Sequence, residues 1–430
     1  MWRTVAEPTR TPTTRRSRSR PAVRAGLLGN FVDQFDIFLP IIALAPVAAL
    51  VLGPESAAAQ TGLIFVATLF GRPLGAAIFG SIADRHGRTR TTKIAIAGIA
   101  ITTLMIAFIP GHDIGGIWTL WAFVALRFVG GIFLGGEYTA AIPLAMEWTT
   151  PRRRGMLSGG IMAMSPLANA TIATLTLLLV QTLGVQAYAA WGWRLPFIVG
   201  GIMAFGLLWY YSAHVVDAPA TASAPRRAHP VRDILAGPYR RQLWQVFVLM
   251  TGLWLFTQMA IPVLTGMLRD APQVGPSEVA FIMLIATLVS AVSMCTAGVV
   301  SQRIGRRRFF VIFGAIALIA APLAFAWALG SHGAGLIVAV TLVQVATVSA
   351  YGPVGAYLAE RFSTGVRSSG YGVGYSLSIV VPALYPFWLP GLQAGIGPVL
   401  AVCAVLAVAS ALLVAGAALG PEPARDAPLA

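Results

Sequence analysis

Long apolar stretches separated by short polar turns leave this chain few possible folds. Apolar segments cover residues 25–52, 60–83, 93–110, 117–146, 156–182 and 194–213, and after a polar interval 243–267, 277–300, 309–329, 334–359, 368–391 and 394–418. As a helix rising about 1.5 Å per residue, each can cross a hydrocarbon layer about 30 Å thick. Lipid tolerates no unpaired backbone, so a spanning segment must be a helix or a strand of a closed barrel. Barrel strands alternate apolar and polar residues, whereas these runs are apolar on every face. The expected fold is therefore an all-α membrane protein of 12 transmembrane helices in two six-helix bundles. Composition agrees: 10% of the 430 residues are charged, against about 25% in soluble domains. The first span is read as retained, because it carries Asp33 and Asp36 and is about twice as long as the apolar part of a cleaved signal.

The formal charge is +15, an excess that could serve nucleic acid or anionic membranes. Placement decides between them. Basic residues cluster before span 1 (Arg3 to Arg24) and between spans 2 and 3 (Arg85, Arg88, Arg90, Lys93). They recur after span 4 (Arg152 to Arg154), between spans 6 and 7 (Arg226 to Arg241), after span 8 (Arg303, Arg306 to Arg308), after span 10 (Arg361, Arg367) and at Arg425. All these segments lie on one side; the other side holds Arg194 and Arg269, while Arg72 and Arg127 fall within spans. The positive-inside rule assigns the basic side, with both termini, to the cytoplasm of a cell membrane. Scattering over alternate turns excludes nucleic-acid binding.

Five segments are expected: a basic tail (1–24), a first bundle (25–213), a linker (214–242), a second bundle (243–418) and a closing tail (419–430). The first tail and the linker lack helical periodicity; the tail is expected to be disordered and the linker flexible. Cys295 and Cys403 fall inside apolar spans and read as packing residues. No His lies at metal-ligand spacing and no phosphate-binding loop with its Lys occurs, so no cofactor, metal or ATP is expected. The expected partners are the lipid bilayer, a small polar metabolite and protons, with the chain working as a monomer.

The halves echo one another. Gly80-Ser-Ile-Ala-Asp84-Arg85-His-Gly87-Arg88 recurs 218 residues later as Gly298-Val-Val-Ser-Gln302-Arg303-Ile-Gly305-Arg306, and Glu147 with Arg154 recurs 213 residues later as Glu360 with Arg367. Two related bundles place a substrate site at mid-membrane between them. The repeated Gly-x-x-x-Asp-Arg-x-Gly-Arg turn resembles the major facilitator superfamily. Further stretches resemble its metabolite–proton symporter branch: Gly29-Asn30-Phe31-Val32-Asp33-Gln34-Phe35-Asp36, Arg72-Pro73-Leu74-Gly75, Gly135-Gly136-Glu137 after Arg127, Trp193-Arg194-Leu195-Pro196-Phe197, and Tyr351-Gly352-Pro353 through Glu360 to Arg367, Gly370 and Tyr375. The likeness runs over about residues 24–418. Two departures stand out: Asp33-Gln34 where the family usually has Glu-Trp, and Gln302 where it has Asp.

Ionisable residues inside a membrane are functional candidates by default. Along straight helices Asp33 and Asp36 lie about 14 and 18 Å in from Arg24, Arg72 about 18 Å in from Asp84, and Glu137 about 15 Å in from Glu147. If they face one another, three acids share one Arg, so at least one acid must be able to carry a proton. Asp33 and Asp36, three residues apart, are the preferred proton carriers, with Glu137 third. Arg72 either binds substrate or forms a permanent packing pair. Arg127, about 15 Å along its helix from Glu137, is expected nearer the outer side, drawing in an anionic substrate or holding structure. Gln258, Gln344 and Tyr351 line one cavity or bond between helices. Gly75, Gly135 and Gly136 read as packing residues.

The basic turns are read as gates. Asp84 can favour a facing helix N-terminus and Arg88 can pair with Glu147, with Arg85 and Gly87 in the same turn. The resemblance implies that Asp84 closes against the helix beginning near Ser368, with Glu360 and Arg367 as the second-half equivalent. The sequence thus reads as a secondary carrier importing a small polar metabolite, a carboxylate by preference, with protons. An exporter of the same fold is the first alternative; a non-transporting sensor or membrane enzyme comes after it.

Overall fold

A computed structural model describes residues 12–53, 57–218, 227–271, 274–423 and 429. No strand occurs among them. The first half holds α1 (Pro12–Leu44), α2 (Ala57–His86), α3 (Arg88–Ala107), α4 (Ile117–Trp148), α5 (Arg154–Ala187) and α6 (Arg194–His214). The second holds α7 (Arg240–Gln258), α8 (Pro276–Ile304), α9 (Arg306–Leu329), α10 (Gly333–Val348), α11 (Arg367–Leu377) and α12 (Pro398–Ala418). Eleven helices are long and apolar enough to cross a membrane, and a bent pair over Thr364–Ile396 makes a twelfth.

Three second-half spans are interrupted. A π-helical turn, Met259–Val263, extends α7 into Leu264–Arg269; α10 passes through Ser349–Tyr351 into Val354–Arg361; α11 breaks before Val380–Ala383 and Tyr385–Ile396. Such breaks free backbone groups, which membrane proteins accept where the chain is buried in protein or lines a cavity.

Close helix contacts depend on small residues. A Cβ on Gly75 would strike the backbone of Ile132, and one on Gly135 would lie 3.0 Å from the backbone nitrogen of Ala76. These glycines serve the α2–α4 crossing. Between the halves, Gly159 of α5 abuts Cys295 and Gly298 of α8, and Gly80 of α2 abuts Ser369 of α11.

Two sequence expectations need correction. The basic tail is not wholly unstructured: residues 12–24 continue α1 without a break, and the remainder, 1–11, lies outside the described residues. The linker is also partly folded. Val216 accepts a bond from the indole of Trp148 (3.0 Å), Pro230–Leu235 is helical, and Tyr239 bonds Ser363 (2.8 Å). Anchoring to the bundle ends, which apolar periodicity does not reveal, orders these pieces.

The repeat survives as geometry. Gly87 and Gly305 both adopt positive φ (101° and 105°), a conformation open to glycine at little cost, and each begins the third helix of its half. Each of those helix starts is capped from afar. Asp217, just after α6, accepts from the N–H of Arg88 (3.1 Å) and of Thr89 (2.7 Å); Glu422, just after α12, accepts from that of Arg306 (2.6 Å) and of Arg308 (3.2 Å). An acid at a helix N-terminus satisfies orphan donors and complements the dipole.

Candidate carrier site and basic-face seal

The mid-membrane charges form two assemblies, where the sequence suggested one cluster. In the first, Asp36 of α1 pairs with Arg127 of α4 at 2.7 Å. Arg127 also donates to the Asp36 carbonyl (2.9 Å) and to Thr68 of α2 (3.1 Å), while Thr103 of α3 donates to the other Asp36 oxygen. Asp36 sits one turn farther from the basic face than Asp33, and the long Arg side chain spans the remaining depth. Arg127 is 1% exposed and every group of this assembly is bonded, so it reads as a clamp across four helices.

The second assembly is incompletely satisfied. Arg72 of α2 reaches Asp33 at 3.5 Å, and Gln34 donates to the same Asp33 oxygen at 3.2 Å. Ser165 of α5 holds Gln34 in turn (2.8 Å). Glu137 of α4 lies within electrostatic range of both Asp33 and Arg72. It is 2% exposed, and its Oε1 has no hydrogen-bond partner among the described residues. Asp33 Oδ1 and Arg72 Nε share that condition. Burying a polar group without a partner costs about 1–3 kcal/mol, and here three such atoms lie on three charged residues. Two carboxylates and one guanidinium leave a formal −1.

Aromatic rings close this assembly on the second-half side. The Arg72 guanidinium stands 5.5 Å from the ring centre of Tyr138 and 5.8 Å from that of Tyr375. Trp254 of α7 meets Tyr375 and Tyr351 edge-on, at 5.0 and 5.6 Å. Of these, Tyr351 was a sequence candidate; Thr257 donates to its hydroxyl (3.1 Å). Tyr138 and Trp254 carry no charge or motif that would have singled them out. Gln258 and Gln344 turn to different neighbours, the carbonyl of Pro382 (3.4 Å) and Thr287 (3.5 Å), both at weak distances.

At the basic face Asp84 accepts the N–H groups of Ser368 (3.0 Å) and Ser369 (2.8 Å), the first turn of α11. Glu147 is ion-paired with both Arg88 and Arg367, and Arg88 also donates to the Thr364 carbonyl (3.3 Å). In the second half Gln302 takes the place of Asp84, accepting from the N–H of Gly155 at the start of α5 (3.0 Å). Glu360 bonds Arg306 (3.3 Å). Arg367 crosses to Glu147 of the other half. Repeat offsets match positions, whereas the two-fold relation between bundles exchanges partners. The Nε of Arg85 has no hydrogen-bond partner among the described residues, and Gly87 supplies the turn. Farther in, Ser158 of α5 donates to the Gly352 carbonyl (2.6 Å), and Tyr371 of α11 to the hydroxyl of Tyr138 (3.1 Å).

Known proteins share this plan. The Major Facilitator Superfamily model matches residues 26–272, and the model for sugar (and other) transporters matches residues 219–417. The inner membrane metabolite transport protein YhjE of Escherichia coli K12 is 29% identical over 89% of each chain. The proline/betaine transporter of the same organism is 26% identical over 85% of this chain and 76% of its own. Among solved structures, the proton:xylose symporter XylE bound to 6-bromo-6-deoxy-D-glucose superposes with a TM-score of 0.75 at 15% identity, covering 94% of this chain and 95% of that one.

Proposed function

The chain belongs to the major facilitator superfamily, a family of multi-pass membrane transporters, and from that premise we propose that it imports a small carboxylate-bearing metabolite with protons by alternating access. One observation carries the reading: Asp33 pairs with Arg72, Glu137 is buried within electrostatic range of both, and a hydrogen-bonding atom is left over on each of the three. A substrate carboxylate drawn to Arg72 adds a negative charge to a site already at −1. Buried net charge is expensive, so loading is favourable only when Asp33 or Glu137 also takes a proton. Release of both on the far side restores the starting charge. This linkage of substrate to proton is symport. The proline/betaine relative supports a carboxylate as the shared handle.

In this reading the basic face is cytoplasmic and Asp84, Glu147, Arg88 and Arg367 seal it. Every hydrogen bond and ion pair described above between the halves lies from Tyr138 toward that face, which supports an outward-facing or occluded state. The Asp36–Arg127 clamp holds the first bundle rigid around the site. One proton moving through 100 mV releases about 2.3 kcal/mol, enough for about a 50-fold substrate gradient.

Proteoliposome uptake of carboxylates, polyols and betaines, with and without an imposed pH gradient, tests the proposal. Accumulation of at least one carboxylate should follow the gradient, and Glu137→Gln should abolish accumulation while counterflow exchange persists. Gradient-independent behaviour across the whole panel would overturn it.

A further inference from the structure

Tyr138 occupies a position that the carrier reading does not use. It follows Glu137 directly on α4, is 1% exposed, and lies between the charged site and the basic-face seal. One ring face is toward Arg72. Its hydroxyl accepts from Tyr371 on α11, itself fully buried, across the boundary between the halves. Tyr375 packs on Tyr138 with ring centres 4.3 Å apart and runs nearly parallel to Tyr371, at 10°. On the basic side of the pair α11 lies close against α4 and α2. A Cβ on Gly372 would collide with Thr139, and one on Gly80 would lie 2.9 Å from the Ser369 Cα. Ser368 and Ser369, bonded to Asp84, complete the column.

We infer that the Tyr138–Tyr371 hydrogen bond is an inner gate, sealing the proton site from the basic face and coupling that seal to the charge on Arg72. The bonded phenols and the packed Tyr375 ring fill the boundary between the halves with neutral groups, which opposes passage of a proton from Glu137 toward the basic face. The cation attracts the electron-rich face of Tyr138. When a substrate carboxylate draws the guanidinium away, or protonation of Asp33 frees it, the ring loses that hold and the phenol pair can part. Because Glu137 and Tyr138 are consecutive, displacement of one moves the other. Tyr138 and Tyr371 are thus positioning residues that keep proton movement tied to substrate.

The inference rests on the proton-coupled reading, and one set of vesicles separates the two. Tyr138→Phe, Tyr371→Phe and the double variant retain the rings but remove the bond. A hydrogen bond of ordinary net strength shifts a two-state equilibrium about fivefold. Each single variant should therefore raise substrate-free proton entry about fivefold, read with an internal pH dye. The double variant should leak no more than either single, since all three lose the same bond. Tyr188→Phe, whose hydroxyl bonds Ala43 within the first half (2.8 Å), should leak like the parent. Counterflow exchange by each variant shows that it is folded. Parent-level leak in both single variants, or additive leak in the double, would overturn the gate while wild-type accumulation still stood. Wild-type vesicles with no gradient-driven uptake would overturn the carrier reading itself.

Discussion

Glu147 lies between Arg88 of its own half and Arg367 of the other, and all three side chains are buried. One carboxylate therefore holds two guanidiniums that would otherwise face each other across the boundary between bundles. Removing one partner of a buried pair costs about 3–5 kcal/mol. Glu147→Gln should release this face. Hydrogen–deuterium exchange at the amides of Ser368 and Ser369 should rise, and melting in detergent should fall by several degrees. Unchanged protection of those amides would show that Asp84 alone closes the seal.

The clamp makes a different prediction. Asp36→Asn leaves Arg127 charged and unpaired, so stability should drop by about 3–5 kcal/mol. Adding Arg127→Gln removes the stranded charge and should restore part of the loss. Thermal melting of the single and double variants reads this directly, and a double variant worse than Asp36→Asn would sink the pair as a unit.

Gly29 offers a test that leaves every charge in place. A Cβ there would lie 2.5 Å from Glu137 Oε1, so Gly29→Ala must push the carboxylate aside. Accumulation driven by a pH gradient should fall at least tenfold, about 1.4 kcal/mol of misplacement, with melting little changed. Full accumulation by this variant would mean that the position of Glu137 is immaterial.

The spans were legible because apolar runs of membrane length have few alternatives, and the contact of Asp84 with the start of α11 was implied by the family resemblance that its turn carries. What stayed hidden depends on which side of a helix meets which neighbour. Asp33 and Asp36 are three residues apart, yet one faces Arg72 and the other Arg127, and depth along an isolated helix does not distinguish them. The repeat matched Arg367 to Arg154, and a sequence offset carries no information about which residue of the other half Arg367 meets. Asp217 lay in a stretch read as loose linker; its capping role appears only when residues 129 positions apart meet.

The two distant caps should behave independently. Asp217→Ala and Glu422→Ala each remove a side-chain cap, worth about 1 kcal/mol. They serve different halves and share no partner, so their effects should add within about 0.5 kcal/mol. Denaturation in mixed micelles would measure this; a double variant no less stable than either single would show that the caps are not separate contributions.

Those caps also bear on the order in which the protein can be made. Asp217 is translated just after α6, so α3 gains its cap once the first six spans have left the ribosome. The Arg88–Glu147 and Asp36–Arg127 pairs are complete by then as well. The first half can settle as a finished unit in the membrane while synthesis of the second continues, as N-terminal domains generally do. The partners of Asp84, and the Arg367 that shares Glu147, arrive only with α11. The seal at the basic face therefore waits for α11, and the cap of α9 waits for Glu422 after α12.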